Sequence, residues 1–561
     1  MRTPRSNLIE PDTSERPCDA QNRLSPWSPR RAIGLSAIVL SLVLIGHTAF
    51  ALVAPPELLV TKLPDDAWYF IKIAQNYSSG LGWTFDGLNE TNGFQPLWTW
   101  LLAGLYSIVP QCPTLAYRLA LIVQIIFIAI SALLLLYTQS RILSPGLLVV
   151  SMAVFAFYVP TFHNGMESAI LVLTLSLLYF FTHQAYDRST LSIAQAAVLG
   201  CVLGLAVLAR LDMVFLVIPL AVLLYLRVAR PGKNHHDVLR FALPFFGGLC
   251  GFLLPYLLYN AAYYGTVMPI SGALKTSFPY PGFYTWILRV RGNAVLLALA
   301  AIWLMVGWYY RRRIPTTQGC TAEVIERMRF QFDIVSVLAI YVVLHGAHTI
   351  LFMRWGVFFW HFASYQWFAC ILAPVLMVLI LERIPRRVRG SISTIIIALI
   401  LVGCARHAAA LPTRGQIWKA QSYAAALWAR GALPADTVLA MSDAGVFGYF
   451  SQRRVINLDG IVNNIEYQEA LRDGRLRSYL NDRGVRYVVH HAVYDRQVVE
   501  GTYERIKLQY QSHLFPGRSG SLTLRAEDEV YRSEFECDAL RTRSVFLIWM
   551  VSGVADPASA G

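Results

Sequence analysis

The 561-residue sequence predicts an α-helical polytopic membrane protein, with about eleven transmembrane helices, and a C-terminal extracytoplasmic α/β domain. Three observations predict it. Hydrophobic residues make up 56% of the chain and charged residues only 15%, against about 45–50% and 25% in an ordinary soluble domain. Apolar runs of helix length recur from residue 32 to residue 410. Many of the basic residues behind the net charge of +14 fall in short loops between those runs, the pattern of loops retained in the cytoplasm. A soluble enzyme, a disordered chain and a nucleic-acid-binding domain are excluded on the same grounds.

Taken in order, residues 1–31 form a disordered cytoplasmic tail rich in Pro, Ser, Arg and Asp, with no apolar core of a cleaved signal. A bilayer core of about 30 Å needs roughly 17–25 apolar residues in a helix. Runs of that kind lie at 32–54, 115–137, 147–162, 167–181, 191–209, 213–226, 241–264, 294–310, 334–352, 362–381 and 392–410. With eleven crossings, Arg30 and Arg31, then Arg227, Arg230 and Lys233, then Arg311 to Arg313, then Arg383, Arg386, Arg387 and Arg389 all fall on one side. The N-terminus is then cytoplasmic and the first loop, 55–114, outside. Within that loop the apolar stretch 96–109 is short for a crossing and reads as an interfacial or re-entrant helix. From 411 onward the apolar runs shorten to strand length at 437–441, 454–458 and 485–489, with a charged helical stretch at 465–482, as in a small α/β domain. The run 545–551 is too short to span and packs on that domain or on the membrane surface. Eight Cys form no CxxC pair and no disulfide framework.

The first outside loop carries the most chemistry. Asp65 and Asp66 follow a proline and open a helical aromatic run. Neighbours on a helix point about 100° apart, so one carboxylate faces a shared cavity while the other caps the helix N-terminus or steadies its partner. Trp68, Tyr69, Phe70, Trp83, Phe85, Phe94, Trp98 and Trp100 crowd the loop; such rings suit both the membrane interface and the faces of sugars. Gly80, Gly82, Gly87 and Gly93, with Asn89 and Asn92, imply tight turns that fold the loop back on itself.

The order of DDAWYFIKIAQN from Asp65, GLGWTFDGLNETNGFQPLW from Gly80, HNGMES around Glu167, ARLD at Arg210 and Asp212, YNAAYYGTVMPISGALK ending at Lys275, and MRW at Arg354 resembles bacterial membrane glycosyltransferases of the GT-C superfamily. In outline the chain is similar to protein mannosyltransferases and aminoarabinose transferases. The resemblance covers about residues 30 to 410 and extends to SDAGVFGYFSQRRVINLDGIVN in the tail. It implies a GT-C-like membrane module that moves a sugar from a polyprenyl-phosphate carrier to a glycan, lipid or protein acceptor at the outer face of a bacterial inner membrane. The implied base is an acid of the first outside loop, here Asp65 or Asp66.

The residue chemistry agrees. An acceptor hydroxyl needs a carboxylate to take its proton, and burial beside a second acid makes that carboxylate a stronger base. The departing phosphate needs cations or N–H groups. Lys275, Arg210 and Arg354 lie at outer helix ends, against the positive-inside bias, which suits either phosphate binding or snorkelling to headgroups; Arg210 and Asp212 also suit a mutual pair. Glu167, at a helix start, is a catalytic candidate or a dipole-favoured N-terminal acid. Trp68, Tyr69, Asn92, His163 and His361 are candidates to line the substrate cavity. The outside loops hold no DxD triplet, so the expectation is a reaction with no cofactor and no metal. Asp443, Asn457 and Asp459 sit near strand ends, where α/β domains bind ligands, although turn formation explains them equally. The competing readings are a transporter or lipid flippase, and an assembly factor without activity.

Overall fold

A computed structural model describes residues 28–109, 113–187, 192–228, 235–313, 322–381, 384–411, 413, 415–492, 495–537 and 542–551. The tail 1–27 and the loop residues Arg230, Lys233 and Arg383 lie outside the described residues. The chain is a polytopic helical membrane protein with a C-terminal α/β domain.

Each of the eleven apolar runs is a helix: Pro29–Val53, Pro113–Ser140, Pro145–Phe162, Ser168–Asp187, Ile193–Ala209, Val214–Val228, His235–Tyr264, Arg291–Arg313, Ala322–Phe352, Ala363–Leu381 and Arg386–Ala410. Among the described residues, seven helices are long and apolar enough to cross a membrane, and 193–209, 292–307 and 394–410 are shorter apolar helices. Internal prolines at Pro160, Pro219, Pro244, Pro255 and Pro374 are tolerated, because neighbouring helices and local adjustment satisfy the freed carbonyls. Without a hydrophobic drive between helices in lipid, small residues set the close contacts. Gly200 and Gly204, four apart on Ile193–Ala209, meet His235–Tyr264 so tightly that a Cβ on Gly200 would lie 1.9 Å from the Phe245 carbonyl oxygen.

The stretch 96–109 is the helix Pro96–Ile108, 13 residues long, ending at Val109. At about 1.5 Å per residue it reaches roughly 20 Å, short of the hydrocarbon thickness.

The tail's four expected elements are present, and four further strands and the helices Ile417–Ala432, Gly445–Phe450 and Arg496–Glu500 join them. The strands are β1 (Val438–Met441), β2 (Arg454–Asn457), β3 (Val485–Ala492), β4 (Arg505–Gln511), β5 (Ser519–Arg525), β6 (Glu529–Cys537) and β7 (Thr542–Met550). The five-stranded sheet has the order β2-β1-β3-β7-β6, parallel across β2, β1 and β3 and antiparallel beyond. The run 545–551 is therefore mostly β7, not a membrane-surface segment. It lies between β3 and β6, and Val545 to Trp549 are fully buried, so both of its faces are apolar. The charged stretch 465–482 forms two helices, Ile465–Arg472 and Leu476–Asp482, broken at Gly474 in a left-handed conformation. The β4–β5 hairpin closes the second core through Ile506, Leu508, Leu522 and Leu524. On its other face the domain shares one continuous core with the helical module, through Leu439, Met441, Val446 and Phe447.

Candidate active site

The first loop folds back as its glycines require. After the helix Asp65–Ser78, Gly80, Gly82 and Gly87 take positive φ, a conformation glycine adopts at little cost. Asn76 Nδ2 then donates to the carbonyls of Thr84 and Phe85, each at 3.0 Å. The Asp86 carboxylate accepts the N–H groups of Leu88 and Asn89 at 2.8 and 2.7 Å. Trp98 Nε1 donates to the Gly165 carbonyl at 3.0 Å and pins the helix Pro96–Ile108 to the helical module.

The two adjacent acids diverge. Asp65 is 8% exposed, and its carboxylate accepts the N–H groups of Gly445 and Val446 at 2.8 and 2.9 Å, in the first turn of the helix Gly445–Phe450 that follows β1. One turn further on, the Tyr69 hydroxyl donates to Asp459 at 3.1 Å and accepts from Ala444 N–H at 2.9 Å and Asn457 Nδ2 at 3.2 Å. The ends of β1 and β2, where an α/β domain ordinarily receives a ligand, are thus occupied by the first loop's helix. Lys419 completes the junction by donating to the Leu63 carbonyl at 2.5 Å. Burial pushes the Asp65 carboxyl up to about 7 and the Lys419 ammonium down to about 8. Burial also raises Asp459, and the charge of Asp459 raises Asp443 well above the carboxylate range.

The junction is tight enough to test by adding one atom. A Cβ on Gly445 would lie 2.1 Å from the Asp65 carbonyl oxygen. Gly445→Ala should therefore separate the domain from the loop helix, read as faster proteolysis between residues 411 and 417 and a lower unfolding temperature. Asp65→Asn should act in the same direction but more mildly, since a hydrogen bond to a charged acceptor contributes about 1.5–3 kcal/mol.

Asp66 turns the other way, into a cavity of about 40 Å³ that it shares with Tyr69, Glu167, Arg210, Lys275, Trp360 and His361. That volume has room for about one water at roughly 30 Å³ each, too little for a sugar ring. Burial raises the Asp66 carboxyl above its ordinary range, and Lys275 and then Lys419 pull it back.

Lys275 is placed by both ends of its short helix, Ile270–Lys275. Asn92 Oδ1 accepts the Ile270 N–H at 2.9 Å. At the other end the Arg354 guanidinium donates to the carbonyls of Leu274 and Ala273 at 3.0 and 3.1 Å, and the Arg354 N–H to the Lys275 carbonyl at 3.0 Å. Arg354 therefore ties off the helix that carries Lys275. The Lys275 ammonium itself makes no hydrogen bond or ion pair among the described residues. His361 Nδ1 accepts the Phe358 N–H at 2.9 Å, which leaves the proton of a neutral ring on Nε2.

Arg210 faces the same cavity but its charge is already matched. Its guanidinium bonds Glu167 at 2.5 Å and Asp212 at 2.7 Å, with His345 Nε2 3.3 Å from Asp212. Glu167 is fully buried, and its Oε2 has no hydrogen-bond partner among the described residues. The remaining candidates lie elsewhere. Trp68 packs between Tyr117, Tyr449 and Phe450. His163 meets His47 with Nδ1 atoms 2.9 Å apart. Asn92 bridges Ile270 and Asn260.

Lys419, Trp360 and His345 carried no signal in the sequence, because their roles depend on which helices meet. Trp360 is only 8% exposed, and its Nε1 has no hydrogen-bond partner among the described residues. Among the described residues, no group of three or more His, Cys, Asp or Glu is placed to hold a metal ion.

Residues 415–533 match a family described as a domain of unknown function (DUF8728). No curated protein sequence matches the chain. Among solved structures, the chain is similar to the Archaeoglobus fulgidus oligosaccharyltransferase crystallised with zinc and sulfate, at 14% identity over 80% of this chain and 67% of that one, with a TM-score of 0.48. It is also similar to ArnT from Cupriavidus metallidurans bound to undecaprenyl phosphate, at 10% identity over 93% and 99%, with a TM-score of 0.45. A third is the arabinofuranosyltransferase AftD from Mycobacteria, at 13% identity over 95% and 40%, with a TM-score of 0.41.

Proposed function

We propose that the chain is a GT-C-like membrane glycosyltransferase that moves a sugar, with inversion, from a polyprenyl-phosphate carrier to an acceptor at the outer face of a bacterial inner membrane. In this reading all eleven apolar helices cross, the N-terminus is cytoplasmic and the α/β domain is extracytoplasmic. One observation carries it: Asp66 and Lys275, which has no partner among the described residues, line a single cavity where the first loop meets the helical module.

The division of labour follows from the surroundings of each group. Asp66, made more basic by burial, takes the proton of the acceptor hydroxyl as that oxygen attacks the anomeric carbon. Lys275 and the Nε2–H of His361 hold the charge of the departing polyprenyl phosphate. Arg210 is a fixed cation in the wall, already matched by Glu167 and Asp212, and Arg354 is a positioning residue for Lys275. Asp65 holds the domain junction and does not act as the base. The carrier chain is assigned to a largely apolar groove of about 1010 Å³ lined by Val214–Val228, Arg291–Arg313 and Ala322–Phe352. That groove reaches Val214 and Leu344, beside Asp212 and His345. Because the reactive cavity is too small for a sugar ring, substrates enter only as its walls part. The reading gives no role to a metal.

The purified protein should consume one member of a panel of polyprenyl-phosphate sugars and form a new glycosidic bond, at a rate that chelator leaves unchanged. Movement of labelled lipid across sealed vesicles with no new bond would replace this reading with transport. Loss of transfer in chelator with rescue by one cation would overturn metal independence.

A further inference from the structure

A second cavity lies outside the reactive one and is built differently. It measures about 210 Å³ and is lined by Glu90, Thr91, Tyr264, Thr266, Asn464 and Glu466 among others. At about 30 Å³ per water it holds roughly seven waters, the room of one sugar ring. Two carboxylates, amides, hydroxyls and one aromatic side chain line it, and no Lys or Arg does. That chemistry suits a neutral polyol, whose hydroxyls pair with amides and carboxylates while a ring face packs on an aromatic. It does not suit a phosphate, because among the described residues no Lys or Arg lines it and Glu466 is already paired with Arg483 at 2.6 Å.

Its position ties it to the reaction. The two cavities are lined by consecutive residues on three separate segments: Asn92 outside and Gly93 inside, Ile270 outside and Ser271 inside, Asn463 outside and Val462 inside. Adjacent Cα atoms are 3.8 Å apart, so one thickness of backbone divides the cavities. The partition is dense there, since a Cβ on Gly93 would lie 1.8 Å from the Ile461 carbonyl oxygen. The outer cavity thus joins the first loop, the end of His235–Tyr264 and the α/β domain, on the side of the partition away from Lys275.

We infer that this outer cavity is a saccharide subsite that holds one neutral sugar ring of the acceptor, so that the acceptor is a glycan whose reacting hydroxyl reaches Asp66 only when the wall between the two cavities parts. The inference rests on the glycosyltransferase reading for its word acceptor; the saccharide site itself does not.

The test uses the full-length protein in detergent and two probes measured separately: a panel of neutral mono- and disaccharides, observed by saturation-transfer NMR, and undecaprenyl phosphate, observed by its effect on thermal unfolding. Thr266→Trp fills the outer cavity, Thr266→Ser controls for the position, and Glu90→Gln removes one carboxylate with little change of shape. The expected result is that at least one saccharide binds the parent protein, that Thr266→Trp weakens it tenfold or more, that Thr266→Ser leaves it within twofold, and that undecaprenyl phosphate binds all forms alike. Glu90→Gln should weaken the saccharide and spare the lipid even if Thr266→Trp fails to fold. Absence of saccharide binding in the parent, survival of binding in Thr266→Trp, or equal loss of both probes in Glu90→Gln would overturn the inference. Saccharide binding with this pattern but no transfer from any polyprenyl-phosphate sugar would leave the subsite standing and remove the transferase reading.

Discussion

Asp66→Asn should lower sugar transfer by about 10²–10⁴-fold, the usual contribution of a positioned general base, while leaving the unfolding temperature and donor affinity close to those of the parent. The amide keeps the size and one acceptor oxygen of the carboxylate but cannot take a proton. Asp66 does not hold the domain junction, which rests on Asp65, Tyr69 and Lys419. Asp65→Asn should show the opposite balance: a clear loss of stability, with residual activity that tracks the fraction still folded. Two adjacent acids with separate phenotypes are what a helix start demands, because successive side chains point about 100° apart. Equal loss of turnover in both variants at unchanged stability would place both acids in the chemistry.

Arg210→Met should be the most destabilising single change in the site. It removes the cation between Glu167 and Asp212 and leaves both carboxylates in place, one of them fully buried. Breaking a buried pair by removing one partner costs about 3–5 kcal/mol, so thermal unfolding in detergent should shift down by several degrees. Adding Glu167→Gln to Arg210→Met should recover part of the loss, since residues in one network do not add independently. If Arg210→Met unfolds like the parent but loses donor affinity, Arg210 is a phosphate ligand after all and its ion pairs are incidental.

Much of this architecture was legible before any coordinates. Eleven helical runs are visible because 3.6-residue periodicity is irrelevant when a helix is apolar all round; length and composition alone mark it. The glycines of the first loop gave its tight turns, and the adjacent acids gave their divergence. The strand β7 was harder, because a short apolar run buried on both faces alternates with nothing and reads equally as a surface segment. The alternation in Arg505–Gln511 and Ser519–Arg525, with Ile506, Leu508, Leu522 and Leu524 on one face, is a strand signal present in the sequence itself. Partners distant in sequence were not legible. Nothing near Asp65 announces Gly445 and Val446, some 380 residues away, and nothing near Arg354 announces that its guanidinium closes the helix bearing Lys275. The three outer basic residues look alike in the sequence, yet one is ion-paired, one is bound to carbonyls and one is left without a partner among the described residues.

The pH dependence of transfer in Lys275→Gln, set beside that of the parent, tests most directly whether Asp66 and Lys275 act in one cavity. The positive charge of Lys275 holds the raised Asp66 carboxyl down, so removing it pushes that carboxyl higher and leaves less of the basic form at a given acidity. The acid limb of the rate profile should then move to higher pH in Lys275→Gln, along with weaker donor use. An acid limb at the parent's position would contradict the shared cavity and with it the assignment of Asp66 as the base.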